Sequence, residues 1–228
     1  MSVEEKIKEC KNNLNQINHF NPDPYYVNYF FKAFLHSVSD FFDEIFKEAN
    51  RDFGLFVLGK CTKEKFEKKA FEKDDHLALK FLSWFEENYK REHKGSYPNF
   101  IKETMYFLKE FSYLPRIIIK IQPNQTYPND TYQSIHVGLT KGKIRSKEEL
   151  EIEIKRQVPM FLEIINQKRK DRNEPRVDEN QIIASTFLEL KNYENFEILQ
   201  ACDIYLPVLR RFLYEFRNEI KKLTQWSS

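Results

Sequence analysis

The chain reads as a mainly α protein, a helical bundle carrying a small α/β insertion. Three observations predict this. Only 5 of the 228 residues are glycine while 15% are aromatic, a balance that favours long helices over many-turned sheets. Two long stretches, one opening near residue 23 and one closing the chain, hold their apolar residues on a single helical face. After Pro115 the character switches to a short β-branched run, "RIIIKIQ".

Residues 3–17 predict a short helix with Ile7, Cys10, Leu14 and Ile17 on one side. A longer one follows over 23–49. At about 100° per residue, Val27, Phe30, Phe31, Phe34, Leu35, Val38, Phe41, Phe42, Ile45 and Phe46 share one arc. Asn28, Lys32, His36, Ser39, Asp40, Asp43 and Lys47 share the other. Tyr25 and Tyr29 point to the polar side and Tyr26 lies at its edge. Asn21 or Asp23 supplies the N-cap and Pro24 suits the first turn.

An apolar link, "GLFVLG", leads to a Lys-rich stretch capped by Thr62. "DDH" at residues 74–76 reads as the cap of a second helical half, because adjacent helical residues diverge too far to share a metal. "NFIKETMYFLKEF" predicts a further helix. "RIIIKIQ" and "YQSIHVGLT", separated by the turn-rich "PNQTYPND", predict a β-hairpin. Ser146 then caps a helix in which Pro159 should kink or break the pattern. "QIIASTFLEL" reads as a third strand or a helix start, strand being preferred. The closing "NYENFEILQACDIYLPVLRRFLYEFRNEIKKL" predicts an amphipathic helix interrupted or kinked near Pro207. The expected organisation is a bundle from 1–112 plus 190–228, with the insertion at 113–189.

The bundle segments resemble HEPN-type helical bundles. "N-P-D-P-Y" leading into Phe30-x-x-Ala33-Phe34-Leu35-x-Ser37 is similar to the entry of their first long helix. "SWFEENYKREHKGSYPNFIKETMYFLKEF" is similar to their Trp-containing helix, linker and next helix, and "FEILQACDIYLPVLRRFLYEF" to their last. The resemblance leaves out the insertion. It implies an RNA-directed or interaction role, often as a dimer. Ribonucleolytic members carry Arg-x4–6-His, the His serving acid–base chemistry and the Arg the phosphate. None of the five histidines here follows an arginine at that spacing, and "RN" at 172–173 and 217–218 has no downstream His. The implied member has lost the catalytic pair.

Net charge is +2, so nucleic-acid binding would require a local patch. Lys141, Lys143 and Arg145 on one turn, with Lys168, Arg169, Lys170 and Arg172 in another run, are the candidates for phosphate or partner contact. Acidic residues interleave with the second run, and a solvated surface is the simpler reading. Lys32, His36 and Asp40 on one helical face, and Arg91 with His93, form a candidate polar site. His93, near Arg91 and Lys94, is the group that an RNA-cleaving or nucleotide-processing enzyme with a non-standard site would use. Cys10, Cys61 and Cys202 are too scattered for a zinc site or disulfide framework. No phosphate-binding glycine loop or nucleophile elbow occurs. The expectation is a non-catalytic binding protein without cofactor or metal, dimeric or docked on a protein or RNA. Its polar N-terminus and the want of a spanning apolar run place it in the cytoplasm, away from membranes.

Overall fold

A computed structural model describes residues 2–92, 115–122, 134–137, 146–190 and 193–225. Among these residues the chain is mainly helical, with six α-helices and a small antiparallel sheet. The helices are α1 (Val3–Phe20), α2 (Pro24–Asp52), α3 (Lys63–Glu72), α4 (His76–Glu92), α5 (Lys147–Asp171) and α6 (Ile198–Gln225). The strands are β1 (Arg116–Ile121), β2 (Ser134–Val137), β3 (Ile182–Leu190) and β4 (Tyr193–Glu197). The expected helix over "NFIKETMYFLKEF" lies outside the described residues. The chain divides into two compact units, one from Met1–Asn15, Lys32–Ser112 and Cys202–Ser228, the other from Gln16–Phe31 and Tyr113–Ala201.

The first unit is built on phenylalanine. Phe41, Phe46, Phe66, Phe81, Phe212 and Phe216 are all buried. Their rings meet mainly edge-on, as Phe81 does Phe216 at 5.8 Å between centroids and Phe42 does Phe212 at 5.5 Å. That geometry sets a positive ring edge against a negative face. The interleaved rings of α2, α4 and α6 explain why the sequence needs so many aromatics and so few glycines. Asp75 opens α4 as its cap, its Oδ1 accepting from the backbone of Leu77 at 3.1 Å and Ala78 at 2.9 Å. Thr62 precedes α3 but makes no side-chain cap bond.

In the second unit the strand order is β2-β1-β3-β4, every pairing antiparallel. Ile117, Ile119 and Ile121 alternate onto one face and pack against Leu150, Val158, Phe161 and Ile165 of α5. A capping box starts that helix, Ser146 and Glu149 each bonding the other's backbone. The hairpin and third strand therefore stand as expected. The fourth strand departs from the sequence pattern, which places "NYENFE" in the closing helix. Its backbone instead pairs with β3, with Phe187 opposite Glu197 and Leu188 opposite Phe196. Cross-strand pairing overrides a local helical pattern here.

Neither Pro159 nor Pro207 ends its helix. Both prolines lie on exposed faces, as do Lys155 and Asp203 four residues earlier, so the carbonyl each leaves unpaired faces solvent. Val158 and Phe161 around the first, and Leu206 and Leu209 around the second, are buried and hold the helices in place.

The loop after α2 takes an unusual backbone course. Gly54 and Gly59 have φ of 58° and 73°, and Phe56 has φ of 59°. For a bulky side chain that left-handed conformation costs about 1–3 kcal/mol.

Candidate functional site

The basic run at the end of α5 does not form one surface. Arg169 is turned inward, only 3% exposed. Its guanidinium pairs with Glu174 at 3.1 Å, and its Nε donates to the Pro175 carbonyl at 2.5 Å. It is a clamp that folds the following loop back on the helix. Lys168, Lys170 and Arg172 remain exposed. Four consecutive-looking cations are thus three surface charges and one structural one. Lys141, Lys143 and Arg145 lie outside the described residues.

The polar face of α2 is divided as well. Asp40 accepts from the Lys6 ammonium at 3.1 Å. Burial works against the charge on Lys6, but Glu9 and Asp40 outweigh it and hold the group above the ordinary lysine range. Asp40 therefore ties α1 to α2. His36 is exposed and Lys32 half-buried. Asn28, expected on the polar arc, is buried, and its Oδ1 meets no hydrogen-bond partner among the described residues. The Arg91 side chain and all of His93 lie outside the described residues, so the second polar pair has no geometry to report.

A different feature takes shape at the turn between α1 and α2. Asp23 caps α2, its Oδ1 accepting from the Tyr25 backbone at 2.9 Å and the Tyr26 backbone at 3.3 Å. That cap sends Val27 inward and leaves Tyr25, Tyr26 and Tyr29 exposed at 45%, 42% and 65%. Phe20, from the last turn of α1, stacks on Tyr26 at 4.6 Å and on Phe30 at 5.6 Å. Tyr25 meets Tyr26 edge-on at 5.4 Å, and Tyr29 meets Phe30 the same way at 5.1 Å. The angular reading of α2 already set the tyrosines apart from the core arc. Phe20 was missed because the ring that organises them belongs to the preceding helix.

On the sheet face away from α5, Lys120 and Glu197 form a close ion pair, and the Ser185 hydroxyl donates to the second Glu197 oxygen at 2.5 Å. Lys120 and Ser185 are both buried. Each member of this group is satisfied by the others, which suits a strand-pinning role across β1, β3 and β4. Nothing in the sequence pointed to it, since the three residues come from three separate strands. Among the described residues no three His, Cys, Asp or Glu side chains converge as metal ligands, and no helix is long and apolar enough to cross a membrane.

Comparison with known proteins found no matching family model, no matching curated protein and no matching solved structure.

Proposed function

We propose that this chain is a HEPN-like, non-catalytic binding protein of the cytoplasm, and that the tyrosine corner at the α1–α2 turn is its contact face. The exposure of Tyr25, Tyr26 and Tyr29 over a stacked Phe20 carries the reading. Tyrosine is enriched at protein interfaces, where it offers apolar area with a hydroxyl to satisfy at the rim. Rings already held by their neighbours also lose little freedom on docking.

The charge around the corner favours protein over RNA. Between Gln16 and Phe31 the chain has six Phe or Tyr residues and neither Lys nor Arg, and the single half-buried Lys32 follows. Platforms that stack bases set their rings among cations that hold the phosphates. A second copy of the chain is the partner of first choice, because one self-complementary patch suffices for a two-fold dimer. The resemblance of the bundle helices to HEPN-type proteins supports the same class. Burial of all three free thiols fits a reducing compartment.

Sedimentation velocity on the full chain tests this. A dimer at micromolar concentration is expected, and Tyr25→Ser with Tyr29→Ser should weaken it at least about tenfold with an unchanged melting temperature. A strictly monomeric wild type, or a dimer indifferent to both substitutions, overturns the proposal. So does a salt-sensitive shift of single-stranded RNA that depends on these tyrosines.

A further inference from the structure

The loop between α2 and α3 presents apolar side chains outward on a backbone that is firmly held. Leu55 is fully buried and anchors it. Asn50 grips Val57 from both sides, its Oδ1 accepting from the Val57 backbone at 2.9 Å and its Nδ2 donating to the Val57 carbonyl at 3.4 Å. Lys73 donates to the Gly54 carbonyl at 2.8 Å, with its ammonium 4.7 Å from the centre of the Phe56 ring. Between these fixings Phe56 is 76% exposed and Leu58 is 88% exposed, the most exposed large apolar side chains described.

Two things set these residues apart from scattered surface hydrophobes. Phe56 adopts its left-handed backbone although a glycine stands two positions before it, so the chain accepts strain at the residue it exposes. Strain kept in this way gathers at ligand clamps and binding segments. The flanks are also cationic. From Arg51 to Lys73 the sequence has seven Lys or Arg against four Asp or Glu. Arg51, Lys60 and Lys68 have side chains 74%, 64% and 80% exposed. Arg51 lies 3.7 Å from Asp52, Lys60 pairs with Asp43 at 2.6 Å and Lys68 reaches Glu72 at 4.0 Å. Such exposed pairs are weak and yield readily to a competing anion. Phe71, on α3, adds a third outward ring, 64% exposed.

We propose that the Gly54–Gly59 loop is a peripheral anchor for an anionic lipid bilayer, with Phe56 and Leu58 entering the headgroup–acyl boundary and the flanking cations meeting the lipid phosphates. Apolar side chains that protrude singly need no matching pocket in a fluid interface, whereas a protein groove would have to fit each of them. Lysine stems extend along such a boundary while their heads stay in the headgroup layer. The contact requires no spanning segment, so it departs from the expected absence of membranes without needing a transmembrane helix. It is independent of the tyrosine corner.

Co-sedimentation of the full chain with vesicles is the test, using phosphatidylcholine alone and phosphatidylcholine with phosphatidylserine. Binding to the anionic vesicles is expected, falling as salt is added. Phe56→Gly with Leu58→Ser should weaken it at least about tenfold, and Arg51→Glu with Lys68→Glu should weaken it as well. The Gly substitution suits the left-handed backbone, so the double variant should melt no lower than the wild type. A wild type that stays in the supernatant with anionic vesicles overturns the proposal. Undiminished binding by the Phe56/Leu58 variant does so too, as does an exposed loop that captures only a protein partner.

Discussion

Asn21, in the turn between α1 and α2, accepts two hydrogen bonds from Thr186 on β3. One comes from its backbone N–H at 3.0 Å and the other from its hydroxyl at 2.8 Å. Thr186 is fully buried and lies one residue beyond the end of the β3–β4 pairing. A side chain from a distant turn thus takes the place of a missing strand. Asn21→Ala leaves two buried donors unpaired and should cost about 2–4 kcal/mol. Thr186→Val keeps the backbone bond and should cost less. Urea denaturation of both variants checks the order.

Arg169 and its neighbours give a sharper contrast. Arg169→Ala removes the buried partner of the partly exposed Glu174 and of the Pro175 carbonyl, and should destabilise by about 1–3 kcal/mol. Lys168→Ala and Lys170→Ala, on exposed positions, should stay within about 0.5 kcal/mol of the wild type. Thermal melts of the three single variants are enough to separate them.

Lys120 and Glu197 stabilise each other only as a pair. Lys120→Met alone or Glu197→Leu alone removes one member of the pair and should cost about 3 kcal/mol. Lys120→Met combined with Glu197→Leu should recover part of that loss. A double-mutant cycle read by denaturant midpoint measures the coupling. Purely additive losses would contradict the pairing.

The thiols predict a pH dependence. Burial pushes Cys10 up to about 12 and Cys61 up to about 11, and raises Cys202 as well. Their folded forms hold a proton that the unfolded chain begins to release near pH 9. Stability from this source is therefore complete below pH 9 and declines as the pH rises towards 11–12. At pH 8 an aromatic disulfide reagent should label none of the three quickly in the native protein and all of them in guanidinium. Rapid native labelling would show an accessible thiolate.

Much of this protein was legible in the order of its residues. The period of apolar side chains in α2 marked Phe31, Phe34, Phe41 and Phe46 for burial, since burial follows helical angle once one face is apolar, although Phe30 and Phe42 on the same arc are only half-buried. The same angle set Tyr25 and Tyr29 outside the core. Ser146 and Asp75 declared their caps because a cap is local, requiring only a side-chain oxygen two or three residues from a free N–H. "RIIIKIQ" declared a strand by its branched side chains.

What escaped was decided by partners distant in sequence. "NYENFE" became β4 because the edge of β3 offered it backbone hydrogen bonds, and no local period records that offer. Arg169 resembled Lys168 and Lys170 until the loop closed over it, because a charge turns inward only where an acceptor waits. Phe56 and Leu58 passed for an apolar link, since a hydrophobic run does not reveal which of its members is anchored and which projects. Composition and period settled the kind of fold and most of its core. The tertiary structure alone decided which polar groups meet, and which apolar side chains remain available for a partner.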